Sequence, residues 1–275
     1  MARRWLLPFL ALLLASSASA PAHDTWLLVV DNATGQAGGR GLSLSLRTGM
    51  DFPVSENAVL PERVSCRLQD GKGDVRTVTG WRVDDATKST VADLGELAAG
   101  GYVAAVDTEP RVLAMKATEF NLYLLHDGLQ QVLYERLETG QDQRPSTERY
   151  RKCAKVVFAV GGALDVAFDK PLGQRLEIVP LDHPLRLRPR GTLAVRILFD
   201  GKPLPHANVG WDHPGNGHDV AGTTWSDANG EALVPIARAG WMTVRLVHMT
   251  HPGARDYEWE SFWGSMSFEV PAAPR

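Results

Sequence analysis

Cysteine is nearly absent from this chain, with only Cys66 and Cys153 among 275 residues. Two widely spaced thiols exclude a thiolate metal centre and a disulfide-stapled miniature scaffold. In an oxidising compartment they can form one bridge or stay free, and the sequence leaves both open. Beyond residue 22 no apolar run approaches the roughly 20 residues that cross a bilayer. An excess of one charge is missing too. The 29 basic and 32 acidic residues leave a formal net charge of −3, which offers no electrostatic footprint for nucleic acid. Catalytic signatures are equally scarce: there is no G-x-S-x-G elbow, P-loop, H-E-x-x-H or dinucleotide fingerprint. Asp256, Glu258 and Glu260 lie beside Trp259 and Trp263, as acids do in glycosidases. Proximity in sequence does not set the carboxylate separation that chemistry requires, and the aromatics suit a core or an interface. The expectation is a protein that is not an enzyme.

What is present begins at the N-terminus. Arg3 and Arg4 precede an apolar run from Trp5 to Ala15 and a small-residue stretch from Ser16 to Ala22. That layout is a cleavable secretory signal over residues 1–22, so the protein is expected in the periplasm or secreted, with no membrane insertion after cleavage. Removing the segment takes two basic residues and no acidic ones, which leaves the remainder mildly acidic.

The remainder reads as mainly β. Short runs rich in Val, Leu and Thr are bounded by Gly, Asp, Asn and Pro. Leu42, Leu44 and Leu46 alternate with Ser43, Ser45 and Arg47, the period of a strand buried on one face. Hairpin turns are expected at Lys72-Gly73, Gly161-Gly162, Asp200-Gly201 and Asn229-Gly230. Residues 118–138 break the pattern with apolar positions at helical spacing, as one amphipathic helix or, because of Gly128, two shorter ones. The Pro-rich stretch around 182–188 places a boundary between an N-terminal sandwich, 23–183, and a C-terminal one, 184–275. The expected fold is therefore two β-sandwich, Ig-like domains with an amphipathic helical insertion.

The candidate site rests on histidines. Ala20 and Ala22 are the small residues a signal peptidase needs, and cutting after Ala22 makes His23 the new N-terminus. Its amine and imidazole then chelate one metal together, an arrangement suited to Cu(II) and Ni(II). Cutting after Ala20 instead leaves His23 third, which also chelates. His248 and His251, flanking Met249, are the further metal candidates. Their odd spacing sends them to opposite faces of an ideal strand, unless a turn after Thr250 reunites them. His213 and His218, in a glycine-rich loop, suit solvated positions; His126, His183 and His206 carry no role.

The segments Ala22–Trp26, Glu119–Leu124 with Gly128-Leu129, Arg149–Lys155, Leu172–Pro180, His248-Met249 and Asp256–Trp263 together resemble the domain-of-unknown-function 4198 proteins, related to a periplasmic component of nickel and cobalt uptake. Residues 189–250 separately resemble the carboxypeptidase regulatory-like, prealbumin-like sandwich, through Asp200–Val209 and Ser226–Gly230. The resemblance implies capture or handling of a divalent transition metal, Ni(II) or Co(II), near a membrane transporter; the His23 chelate chemistry adds Cu(II). The competing expectations are a noncatalytic protein- or glycan-binding module and a histidine-brace copper oxidase.

Overall fold

The computed structural model describes residues 23–32, 41–216 and 220–272; the expected signal segment and His218 lie outside them. The N-terminal part runs through β1 (Asp24–Asn32), β2 (Gly41–Gly49), β3 (Val64–Gln69), β4 (Val75–Thr77), β5 (Arg82–Asp84), β6 (Ser89–Gly95), β7 (Gly100–Thr108) and β8 (Arg111–Met115). Two helices follow, α1 (Ala117–His126) and α2 (Gln130–Glu138), then the long β9 (Ser146–Val160) and β10 (Leu176–Pro180). The remaining strands are β11 (Thr192–Phe199), β12 (Lys202–Pro203), β13 (Asn208–Asp212), β14 (Gly222–Trp225), β15 (Glu231–Pro235), β16 (Gly240–Thr250) and β17 (Trp259–Val270). The protein is mainly β, as its alternating apolar pattern requires.

Three sheets build it. The central one orders β14-β13-β16-β17-β9-β7-β3-β4, with β8 also on β9. One face is covered by the sheet β1-β2-β6-β5, which packs Leu27, Leu44, Leu46 and Leu94 against Leu68, Val106, Ala154 and Val156. The α1–α2 pair lies on that same face, setting Phe120, Tyr123 and Leu124 on Val247, Trp259 and Trp263. On the opposite face β10, β11, β12 and β15 bring Ile178, Val195, Ile197 and Val234 onto Val157, Val244, Phe262 and Met266. Two sandwiches thus share their middle layer.

That sharing bears on the expected division at 182–188. β10 and β11, from either side of it, pair from Leu176↔Phe199 to Pro180↔Val195. β17 lies parallel to β9 from Trp259↔Glu148 to Phe268↔Val157. The boundary therefore coincides with no gap between sheets.

Local expectations fare unevenly. Lys72-Gly73 and Asp200-Gly201 do join paired strands, β3 to β4 and β11 to β12. Asn229-Gly230 instead hands the chain from β14, paired with β13, to β15, paired with β11. No strand follows Gly161-Gly162, because residues 163–168 make turns and coil. Gly128 splits the helical segment in two. Its φ is +74°, and a Cβ there would meet the Asn208 side chain at 2.8 Å, so the corner tolerates only glycine. Arg136, expected on a polar helix face, is buried instead: it donates to the carbonyls of Gln141 and Arg144 and lies over the Phe120 ring. Cys66 and Cys153 are both free and buried. They pack into the cores on opposite faces of the central sheet, so the bridge left open by the sequence does not form.

Candidate functional site

His23 sits just before β1, where that strand crosses the central sheet at the seam between the first sheet and the α1–α2 corner. The central strands grip three successive residues there. Lys152 Nζ donates to the His23 carbonyl at 2.7 Å, Arg245 meets the Asp24 carboxylate at 2.8 Å, and Ser265 Oγ donates to the Thr25 carbonyl at 2.6 Å. Lys152, Arg245 and Ser265 come from β9, β16 and β17, whose registers set Lys152 beside Trp263 and Arg245 opposite Ser265. The His23 ring is held as well, with Nε2 at 2.7 Å from Glu56 Oε2. Glu56 is steadied in turn, its Oε1 accepting from the Met50 amide at 3.2 Å and its own amide donating to the Thr48 carbonyl.

Beneath this grip lies a cluster of buried charge. Arg245 also reaches Asp127 at 3.1 Å, at the corner that Gly128 shapes. Burial and the negative charge of Asp24 push the Asp127 carboxyl up to about 7, against the pull of Arg245. Burial likewise pushes the Lys152 ammonium down to about 8, with Asp24, Glu148 and Asp127 opposing. The ammonium lies 3.3 Å above the Trp263 ring, a cation–π contact that offsets part of the lost hydration. Glu148, raised by burial, takes hydrogen bonds from Ser261 and from Tyr123. Asp212 is pushed up to about 6 by burial.

The three histidines singled out from the sequence are not brought together. His248 shares a face with Leu246 and Val244, turned toward β10 and β11, and its ring lies 4.5 Å from that of Phe199. β1 crosses the other face of the same sheet, so β16 itself stands between His248 and His23. Burial lowers the His248 pKa. His251, past the end of β16, packs on Trp259 with ring centroids 3.7 Å apart and pairs with Glu135 at 2.7 Å. Met249 is core, and His213, expected in solvent, is buried. Among the described residues no group of three or more His, Cys, Asp or Glu side chains is placed to hold a metal ion. What the seam offers a metal is narrower: the His23 imidazole, the carboxylate of Glu56 behind it and, if the chain starts there, an α-amine.

No residue pattern singles out Lys152, Asp127 or Glu56 as a site residue. Arg245 did leave a signal, as a lone charge inside the apolar run Met242–Met249; a strand residue so placed needs a buried partner.

A family model described as "Domain of unknown function (DUF4198)" matches residues 20–250. No curated protein matches the chain. Among solved structures, the three N-terminal domains of the bacteriophage RB49 Highly Immunogenic Outer Capsid protein (Hoc) are 12% identical with a TM-score of 0.21; the match covers 91% of this chain and 59% of that one. The chain thus spans about three fifths of that phage chain's length. Native alpha-2-macroglobulin from Escherichia coli, domains MG0-NIE-MG1, is 11% identical with a TM-score of 0.21, over 86% of this chain and 96% of the other.

Proposed function

This chain belongs to the DUF4198 family, and from that starting point we propose that it is an exported protein that binds a divalent transition metal, Ni(II), Co(II) or Cu(II), as cargo at its processed N-terminus. Cleavage after Ala22 frees the amine of His23. The observation that carries the reading is the contact of His23 Nε2 with Glu56 at 2.7 Å. It leaves Nδ1, the ring nitrogen that closes a chelate with the residue's own amine. A metal-ligating histidine commonly gives its other nitrogen to a carboxylate, which fixes the tautomer and raises ligand basicity. Lys152 on the His23 carbonyl and Arg245 on Asp24 hold the chelating residue in place, so little ordering is left to do on binding.

A two-nitrogen chelate leaves the metal's other coordination positions unfilled, which suits transient capture and hand-on better than permanent storage, and delivery to a membrane transporter in the periplasm is the role it fits. His248 and His251 have no part in it. The test is metal titration of chain processed to begin at His23, beside His23→Ala and beside chain with a blocked amine. One metal per chain, lost in both altered forms, is the expected result. Equal affinity in all three forms defeats the reading.

A further inference from the structure

We propose a second binding site, on the opposite face of the central sheet, for a small carboxylate-bearing zwitterion the size of an amino acid. A groove of about 390 Å³ runs along the ends of β3, β7 and β9, walled by the turn that leads into β10. Three arginines line it, Arg67, Arg151 and Arg175, together with Asp107 and Glu109.

Two of the arginines are already spoken for. Arg67 donates to the Leu172 carbonyl and pairs with Asp107. Arg175 forms a two-pronged pair with Asp200, at 2.7 and 2.9 Å, and lies 4.4 Å over the Phe262 ring. Arg151 differs. It enters no ion pair with any described residue, and its Nε is shut off from solvent with no acceptor. The buried Nε is out of a ligand's reach, so a carboxylate would be taken end-on by the two terminal nitrogens, with two parallel hydrogen bonds.

The groove is built rather than incidental. Glu177 accepts the amides of Leu172, Gly173 and Gln174, at 2.6, 2.9 and 3.1 Å, and pairs with buried Lys155 at 2.7 Å. Gln174 ties the same turn to the Val106 carbonyl at 2.8 Å. The wall facing Arg151 is therefore fixed before any ligand arrives. Charge then narrows the class. With Asp107 and Asp200 spent on their arginines, the groove's lining keeps one cation, Arg151, and one carboxylate, Glu109, that enter no ion pair among the described residues. Glu109 follows the end of β7 and lines the same groove as Arg151. A multiply charged anion meets repulsion from Glu109, whereas a carboxylate on Arg151 with an ammonium toward Glu109 satisfies both.

The test is calorimetric titration of the full chain with single amino acids, L-alanine and L-glutamine among them, and with propionate as the match to alanine that lacks the amine. At least one amino acid is expected to bind more tightly than propionate. Arg151→Met should weaken it about tenfold or more, as loss of a charge-assisted pair does, while Arg151→Lys recovers part of the affinity. Glu109→Gln should erase the preference over propionate. An unchanged near-ultraviolet circular dichroism spectrum shows that the variants fold. Undiminished binding in Arg151→Met, or no heat from any amino acid up to roughly 10 mM, a Kd at which binding is worth under 3 kcal/mol, overturns the proposal.

Discussion

Arg245 reaches the Asp24 carboxylate at 2.8 Å, so the residue after His23 is tied to the middle of the central sheet. Because Asp127 shares the same guanidinium at 3.1 Å, removing it leaves two buried carboxylates without their hydrogen-bonded partner and with only Lys152 as a nearby cation. Arg245→Gln should therefore lower stability by about 3–5 kcal/mol, the usual cost of breaking a buried pair from one side. Adding Asp127→Asn should restore part of the loss. Urea melts of the single and double variants measure both.

Asp127 sets a pH dependence of its own. Its folded-state pKa, about 7, stands above that of an unfolded aspartate, so folding favours the protonated form. The contribution is fully present below about pH 4 and is lost as pH rises through 7. Stability of the parent should fall across that window by a few kcal/mol relative to Asp127→Asn, at about 1.4 kcal/mol per pKa unit. Parallel melts from pH 4 to 8 give the comparison.

Glu56 lies behind the His23 ring, its Oε2 2.7 Å from Nε2. Glu56→Gln keeps a hydrogen-bonding oxygen but removes the charge, and metal affinity should drop about 10- to 100-fold, as for other carboxylate–histidine pairs. Competition against a chromogenic chelator reads this directly, with His23→Ala as the lower limit.

The two thiols supply a simple check on the layering. Burial pushes each of Cys66 and Cys153 up to about 12, so neither is a thiolate at neutral pH. A disulfide-exchange reagent should label none in the native protein and two per chain in denaturant. Reduction should leave the intact mass unchanged.

Much of the fold could be read in advance because it follows local rules. β3 and β15 fall where apolar alternation and turn residues put them. β10 did not, since Pro180 ends it and a proline-rich passage reads as a linker. The first half of β9 was hidden by Glu148, Arg149, Arg151 and Lys152, which look like surface residues until β8 and β17 close around them. Even the serines that alternate with leucine in β2 proved buried, Ser43 bonded to Asp93 and Ser45 to Ser89. At the candidate site, His23 stands out in the sequence because the expected cleavage would free its amine. Its neighbours do not: Lys152 and Arg245 lie more than a hundred residues away, and only the sheet register brings them to β1.

The parallel pairing of β9 with β17 has a consequence for synthesis. Lys152 is made long before Trp263, and the sequence between them supplies the third sheet as well as β13, β14 and β16 of the middle one. Until Trp259–Val270 leaves the ribosome, β9 presents an open edge in the centre of what will be the middle layer. Long-range closure of this kind is slow, and such edges invite pairing with other chains. Assembly of the seam that holds His23 therefore waits until Trp259–Val270 has been made, which favours a holding chaperone over folding as the chain emerges.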